Sequence, residues 1–242
     1  MYDEITCWGM QVPSYSFLIL LGLLVIGTTG LFIAWHRDLD VQSSIKLGLV
    51  GGVMAVVGAK LLNMGEEAVL LFEPNVNLKA FFNSGYSFYG GILLGLPTMY
   101  IYTKLLKVNF NMYASHLIFL IPLLHFFCKI GCFMAGCCYG IEYNGIGAVK
   151  TPKGACCFPI QLVEAIFLLF IALYLYAKGR RHMNYPVCMY LGIYAVIRFF
   201  AEFLRYHEKK YYLSTAQWIS LIILCSILIF VYLKKKFSMR RS

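Results

Sequence analysis

Seven stretches of the chain are apolar for about as long as a lipid bilayer is thick, and no other feature narrows the possible folds as far. They run roughly over 14–35, 43–64, 84–103, 115–137, 159–178, 186–204 and 215–233. Each holds close to the 20 residues that an α-helix needs to cross the hydrocarbon core. Inside that core every backbone N–H and C=O must find its partner within the segment, so the helix is the expected element. The second stretch carries Gly48, Gly51, Gly52 and Gly58, which suits close helix packing in lipid. A further run at 66–72 opens on Glu66 and Glu67 and is too short to span, so it reads as an interfacial piece. No Lys or Arg precedes the first stretch, and no small-residue cleavage site follows it. It reads as a retained span rather than a cleaved signal.

Composition agrees. The 242 residues are 60% hydrophobic and only 13% charged, about half the charged share of an ordinary soluble domain. That excludes a disordered chain, a fibrous protein and a typical soluble enzyme. The expectation is an all-α integral membrane protein, one polytopic domain over 1–242, with short loops and a small extracytoplasmic region. The net charge of +10 is assigned to orientation, not to nucleic acid. With the N-terminus outside, the inner loops and tail hold Arg37, Lys46, Lys104, Lys107, Lys178, Arg180, Arg181, Lys234, Lys235, Lys236, Arg240 and Arg241. The outer loops hold half as many: Lys79, Lys150, Lys153, Arg205, Lys209 and Lys210. This bias predicts an N-out, C-in chain with the loop from Cys137 to Cys157 outside.

The cations left over lie in apolar segments, where charge is costly and marks function by default. In the sixth stretch Tyr194, Arg198, Glu202 and Arg205 follow at i, i+4, i+8 and i+11, which places them on one helix face. An Arg–Glu pair with a snorkelling Arg205 is the structural alternative. Two arginines against one acid leave surplus positive charge, and phosphate is the natural anion to meet it in a membrane. Lys129 shares a face with Cys132 and Gly136, with His125 one turn earlier, and the small residues Gly131, Ala135, Gly136 and Gly140 permit close approach. Lys60 fits snorkelling as well as ligand binding. Tyr89, followed by Gly90 and Gly91, is either an interfacial aromatic or a site hydroxyl. Gln161 and Glu164 stand a turn apart at the start of the fifth stretch after Pro159, with Glu164 either solvated or part of a site.

Nine cysteines remain, six of them between Cys128 and Cys157. Disulfides, a metal and free packed thiols are all open. Adjacent pairs do not match familiar zinc spacings, so no metal is expected. A bridge between the pairs Cys137/Cys138 and Cys156/Cys157 is favoured on an oxidising outer face.

Taken in order, these blocks resemble the bacterial prolipoprotein diacylglyceryl transferase family. Gly58-Ala-Lys60 is similar to the family's Gly-Ala-Arg. Ser87-Phe-Tyr-Gly-Gly91 is similar to its Ser-Phe-His-Gly-Gly. The segment from Lys129 to Gly140 lies on its signature, Arg-(Ile/Leu)-Gly-Asn-Phe-x-Asn-x-Glu-x-x-Gly. Pro159 to Ala165 resembles its Pro-x-Gln-Leu-Tyr-Glu-Ala. Tyr194 to Arg205 matches its Tyr-x3-Arg-x3-Glu-x2-Arg, and Ala216 to Ser220 its Gly-Gln-x-x-Ser. The chain departs from the family at central positions. Tyr89 stands for a His, Lys129 for an Arg, Cys132 and Ala135 for Asn, and Cys137 for a Glu.

The resemblance implies a multi-pass enzyme of the bacterial cytoplasmic membrane that needs no cofactor. Such an enzyme moves the diacylglyceryl group of phosphatidylglycerol to a cysteine thiol in a prolipoprotein signal and releases glycerol phosphate. Arg198, Glu202, Lys129 and Tyr89 would then be catalytic. Tyr194, Arg205, Lys60, Gly90, Gly91, Cys132, Gly136, Gly140, Gln161 and Glu164 would bind substrate. Arg198, with Lys129 and Arg205, would hold the departing phosphate. Tyr89 or Glu202 would be the base, with Glu202 better suited to orienting Arg198. The departures leave open a paralogue with another acceptor, a non-catalytic phospholipid-binding protein and a thiol-redox protein.

Overall fold

A computed structural model describes residues 4–7, 10–68, 85–151, 154–179, 183, 185–206 and 213–239. Strands β1 (Glu4–Cys7) and β2 (Met10–Pro13) pair antiparallel ahead of helix α1 (Ser14–His36). The helices α2 (Val41–Glu67), α3 (Phe88–Leu105), α4 (Phe110–Leu117) and α5 (Leu120–Met134) follow. A hairpin of β3 (Val149–Lys150) and β4 (Cys156–Cys157) precedes α6 (Ile160–Gly179), α7 (Pro186–Ala201) and α8 (Thr215–Met239). Most of the interfacial run expected at 66–72 lies outside the described residues.

Among the described residues five helical segments, α1, α2, α6, α8 and α7 continued to Leu204, are long and apolar enough to cross a membrane. The pair α4 and α5, bent by 40°, makes a sixth if it counts as one span. Seven stretches were expected. The difference lies in α3, whose 18 residues include Pro97, Lys104 and three tyrosines and fall short in hydropathy. The bend has a local cause. Pro122 offers no N–H to the carbonyl of Ile118, and its ring crowds that carbonyl.

The described backbone gathers into two compact units, residues 34–113 and the remainder. In the first, Asp40 caps α2 by accepting the backbone N–H of Ser43 at 2.8 Å. Helices α2 and α3 meet backbone to backbone where Gly90 faces the carbonyl of Gly58. A Cβ on Gly90 would also stand 2.6 Å from Cβ of Leu62. In the second unit α6 is the central helix. Of its apolar window 44% is buried, against 11% for α8. Ile160, Leu168 and Leu175 form its inner face, while Phe167, Phe170 and Leu173 on its outer face are exposed as lipid-facing residues would be. Ser214 and Gln217 form a reciprocal cap at the start of α8, and Gln217 Nε2 also donates to the carbonyl of Phe199 on α7.

The chain is not wholly helical. A small β layer tops the ends of α5, α6 and α7, with bridges Glu142 to Cys157 and Gly140 to Arg205 beside the β3–β4 hairpin. Strands of two residues leave no alternating pattern to read.

Candidate active site

Three helices of the second unit each contribute charge to one buried cluster. Lys129 comes from α5, Glu164 from α6 and Arg198 from α7, with Glu202 one turn beyond Arg198 in a 3-10 turn (Glu202–Leu204). None is more than 7% exposed. Lys129 Nζ donates to Glu164 Oε2. One Arg198 terminal nitrogen donates to Glu164 Oε1 at 2.7 Å, and the other pairs with Glu202 Oε2 at 2.6 Å. Glu164 is the hub, since each of its oxygens takes a different cation.

The ion-paired cluster itself is neutral, two cations against two carboxylates, so the surplus expected from the sixth stretch rests on Arg205. A helix's own periodicity cannot show a carboxylate arriving from its neighbour. Glu164 is accordingly a buried partner rather than a solvated one. The stripe is corrected at its end as well. Helix α7 stops at Ala201, and Arg205 has extended backbone (φ −91°, ψ 143°) in a bridge with Gly140. Its N–H closes on the carbonyl of Glu202 at 3.2 Å. Arg205 therefore stands on the β layer, off the helical face of Tyr194, Arg198 and Glu202.

Tyr194 is buried between rings, edge-on to His125 at 5.4 Å and stacked on Tyr190 at 6.1 Å. Gln161 is fully buried. Its Nε2 donates to the carbonyl of Cys137 at 2.7 Å, and its Oε1 has no partner among the described residues. Gly140 lies between backbones, where a Cβ would stand 2.6 Å from the carbonyls of Leu204 and Phe158. Gly136 has φ of +69°, a left-handed turn that glycine adopts freely.

An apolar groove of about 250 Å³ opens against Glu164 between α6 and α7. Val163, Phe167, Val196, Phe200 and Leu204 line it. Phe167, Val196, Phe200 and Leu204 in its walls are exposed, so the groove is open along the outer side of α6 and α7.

Tyr89, Gly90, Gly91 and Lys60 belong to the other unit. Tyr89 is 4% exposed. Gly90 and Gly91 pack α3 against α2, Gly91 near the carbonyl of Ala55. Lys60 Nζ lies 5.3 Å from the ring centroid of Tyr86.

Cys128, Cys132, Cys137, Cys138, Cys156, Cys157, Cys188 and Cys225 are free thiols. Cys132, Cys137 and Cys138 bring their sulfurs within 4.8 Å of one another. The expected partners Cys156 and Cys157 sit instead on β4. Spacing rules built on C-x2-C miss the trio, because Cys132 is joined to the adjacent pair by a turn.

A family model described as prolipoprotein diacylglyceryl transferase matches residues 4–233. Among curated relatives, phosphatidylglycerol–prolipoprotein diacylglyceryl transferase of Clostridioides difficile is 33% identical over 96% of this chain and 94% of its own. The enzyme of the same name from Clostridium tetani is 30% identical over 92% of this chain and 94% of its own. Phosphatidylglycerol–prolipoprotein diacylglyceryl transferase 2 of Clostridium perfringens is 29% identical over 90% and 89%. With the family model spanning nearly the whole chain, and with helices apolar enough for a membrane around a buried charged cluster, the protein belongs to the prolipoprotein diacylglyceryl transferase family.

Proposed function

We propose that the chain transfers the diacylglyceryl group of phosphatidylglycerol to the signal-peptide cysteine of a prolipoprotein. The thiol loses its proton, and its sulfur forms a bond to the glyceryl carbon. The C–O bond to phosphate breaks, and glycerol phosphate leaves with that electron pair. The phosphate gains negative charge as it departs, so fixed cations speed the step. The observation that carries the proposal is the buried cluster of Lys129, Glu164, Arg198 and Glu202, beside an apolar groove that Glu164 helps to line.

The two carboxylates orient Arg198 and hold it charged in a dry site. Arginine has five N–H donors, so ion pairing at its terminal nitrogens does not exhaust it. Arg205, outside these ion pairs, adds positive charge beside the cluster. The free Oε1 of Gln161 is an acceptor suited to a glycerol hydroxyl. Seven crossings of a bacterial cytoplasmic membrane, N-out and C-in with α3 as one span, complete the proposal.

Complementation tests it. In a strain depleted of its own transferase, the chain restores lipidation of a reporter prolipoprotein. Arg198→Ala inserts but fails, losing on the order of 100-fold or more. Full activity of Arg198→Ala contradicts the role given to this side chain. The changes at Lys129, Cys132 and Cys137 favour a second reading, a paralogue with a different acceptor thiol. It predicts phosphatidylglycerol-dependent activity on another peptide and none on the reporter.

A further inference from the structure

We propose that Cys132, Cys137 and Cys138 bind one thiophilic divalent ion of the zinc class as three thiolates, leaving the fourth tetrahedral position to the acceptor's thiol. The fourth-ligand part rests on the transferase reading, while the ion site stands on geometry alone.

The three sulfurs lie within 4.8 Å of one another. A tetrahedral ion with Zn–S bonds of about 2.3 Å asks for sulfurs about 3.8 Å apart, so closure needs only small side-chain adjustments. The backbone is built to bring them together. Gly136 (φ +69°) and Cys138 (φ +60°) are both left-handed, and for a non-glycine residue this conformation costs about 1–2 kcal/mol. Strain of this kind concentrates at functional sites. The turn is fixed by Gly136 N–H to the carbonyl of Phe133 at 3.2 Å and by Cys137 N–H to that of Cys132 at 3.1 Å. Gln161 holds the Cys137 carbonyl from α6.

Charge fits as well. Three thiolates and a dication sum to one negative charge, and Arg205 and Lys129 lie within electrostatic reach of Cys138. Cys137 is exposed, which gives the ion and a fourth ligand a way in. Three protein ligands with one open position are the pattern of catalytic zinc rather than of a closed structural site.

The site would also answer a chemical need. Both carboxylates of the buried cluster are held by cations, so taking the acceptor's proton falls to another group. A thiol that coordinates such an ion is deprotonated outright. Its proton goes to solvent, its sulfur attacks the glyceryl carbon, and glycerol phosphate leaves with the C–O electron pair. The ion keeps its charge and its three cysteines, and nothing is oxidised or reduced.

The test uses the full chain purified in detergent with reductant, stripped by chelator and titrated with cobalt(II). One equivalent binds with the visible bands of tetrahedral thiolate cobalt, and zinc displaces it. Affinity falls at least tenfold in Cys137→Ser/Cys138→Ser and is kept in Cys156→Ser/Cys157→Ser, both compared by size-exclusion profile. A short cysteine peptide then shifts the bands, and its serine analogue does not. Absence of stoichiometric binding, or equal binding by both variants, overturns the site, as does a quantitative disulfide from Cys137 or Cys138 to Cys156 or Cys157 in native membranes. Binding without a peptide shift overturns the fourth ligand. Lipidation measured in parallel separates the two proposals. Active protein that binds no cobalt sinks the metal site alone. Protein that binds cobalt and peptide yet never lipidates sinks the transferase reading alone.

Discussion

Glu164 holds the site together at the scale of single residues. It is 4% exposed and pairs with two cations from two other helices. Removing one partner of a buried ion pair leaves uncompensated charge at a cost of about 3–5 kcal/mol. Glu164→Gln should therefore lower the melting temperature in detergent and cut transfer on the order of 100-fold. Adding Lys129→Met to that variant removes the stranded cation and should recover part of the melting temperature without recovering activity. If Glu164→Gln melts like the parent chain, the charges are not the buried network described. The i, i+4 spacing of Arg198 on α7 and Glu202 just beyond it was enough to read their pairing in the sequence. The third partner was not readable, because a helix carries its own period but no record of the helix it will meet. Cys132, Cys137 and Cys138 were hidden for a similar reason, since it is two left-handed residues rather than sequence spacing that bring them together.

Among the elements, the glycines of α2 and α3 separate packing from propensity. Gly90 meets Gly58 and Leu62, whereas a Cβ on Gly48 meets nothing within 4 Å. Gly90→Ala should destabilise by about 1–3 kcal/mol through overpacking. Gly48→Ala should be neutral or stabilise by about 0.5–1 kcal/mol through helix propensity. Thermal unfolding of the two variants side by side checks this, and equal shifts would count against the α2–α3 contact. The cap of α2 carries a pH signature. The Ser43 hydrogen bonds hold the Asp40 carboxyl below its usual 3.8. Its contribution is thus complete above that ordinary value and fades as pH falls through the lowered one. Asp40→Ala should melt earlier than the parent at neutral pH, with the gap closing in strong acid. The long helices were legible as apolar runs of bilayer length. The bend at Pro122 was only implicit in the proline, and the two-residue strands of the β layer carry no period at all.

For the whole molecule, the lysine and arginine bias predicts an odd number of crossings, with the tail of Lys234, Lys235 and Lys236 inside. A reporter fused after α8 should be active only if it is of the kind that works in the cytoplasm. Activity of an exported-only reporter there would reverse the orientation. Family membership was legible because blocks spread along the chain kept their order even where single residues changed. The chemistry at the changed positions needed the fold, since Lys129 and the cysteines acquire meaning only from Glu164, Arg205 and the turn after α5. The central claim is that this buried cluster drives carbon–sulfur bond formation. The most direct measurement reconstitutes the purified chain in phosphatidylglycerol vesicles with a prolipoprotein peptide and follows the peptide by mass spectrometry. A gain of one diacylglyceryl group on the cysteine, matched mole for mole by released glycerol phosphate and abolished in Arg198→Ala, is the predicted result. A peptide left unmodified by active, folded protein, or one modified equally well by Arg198→Ala, would contradict it.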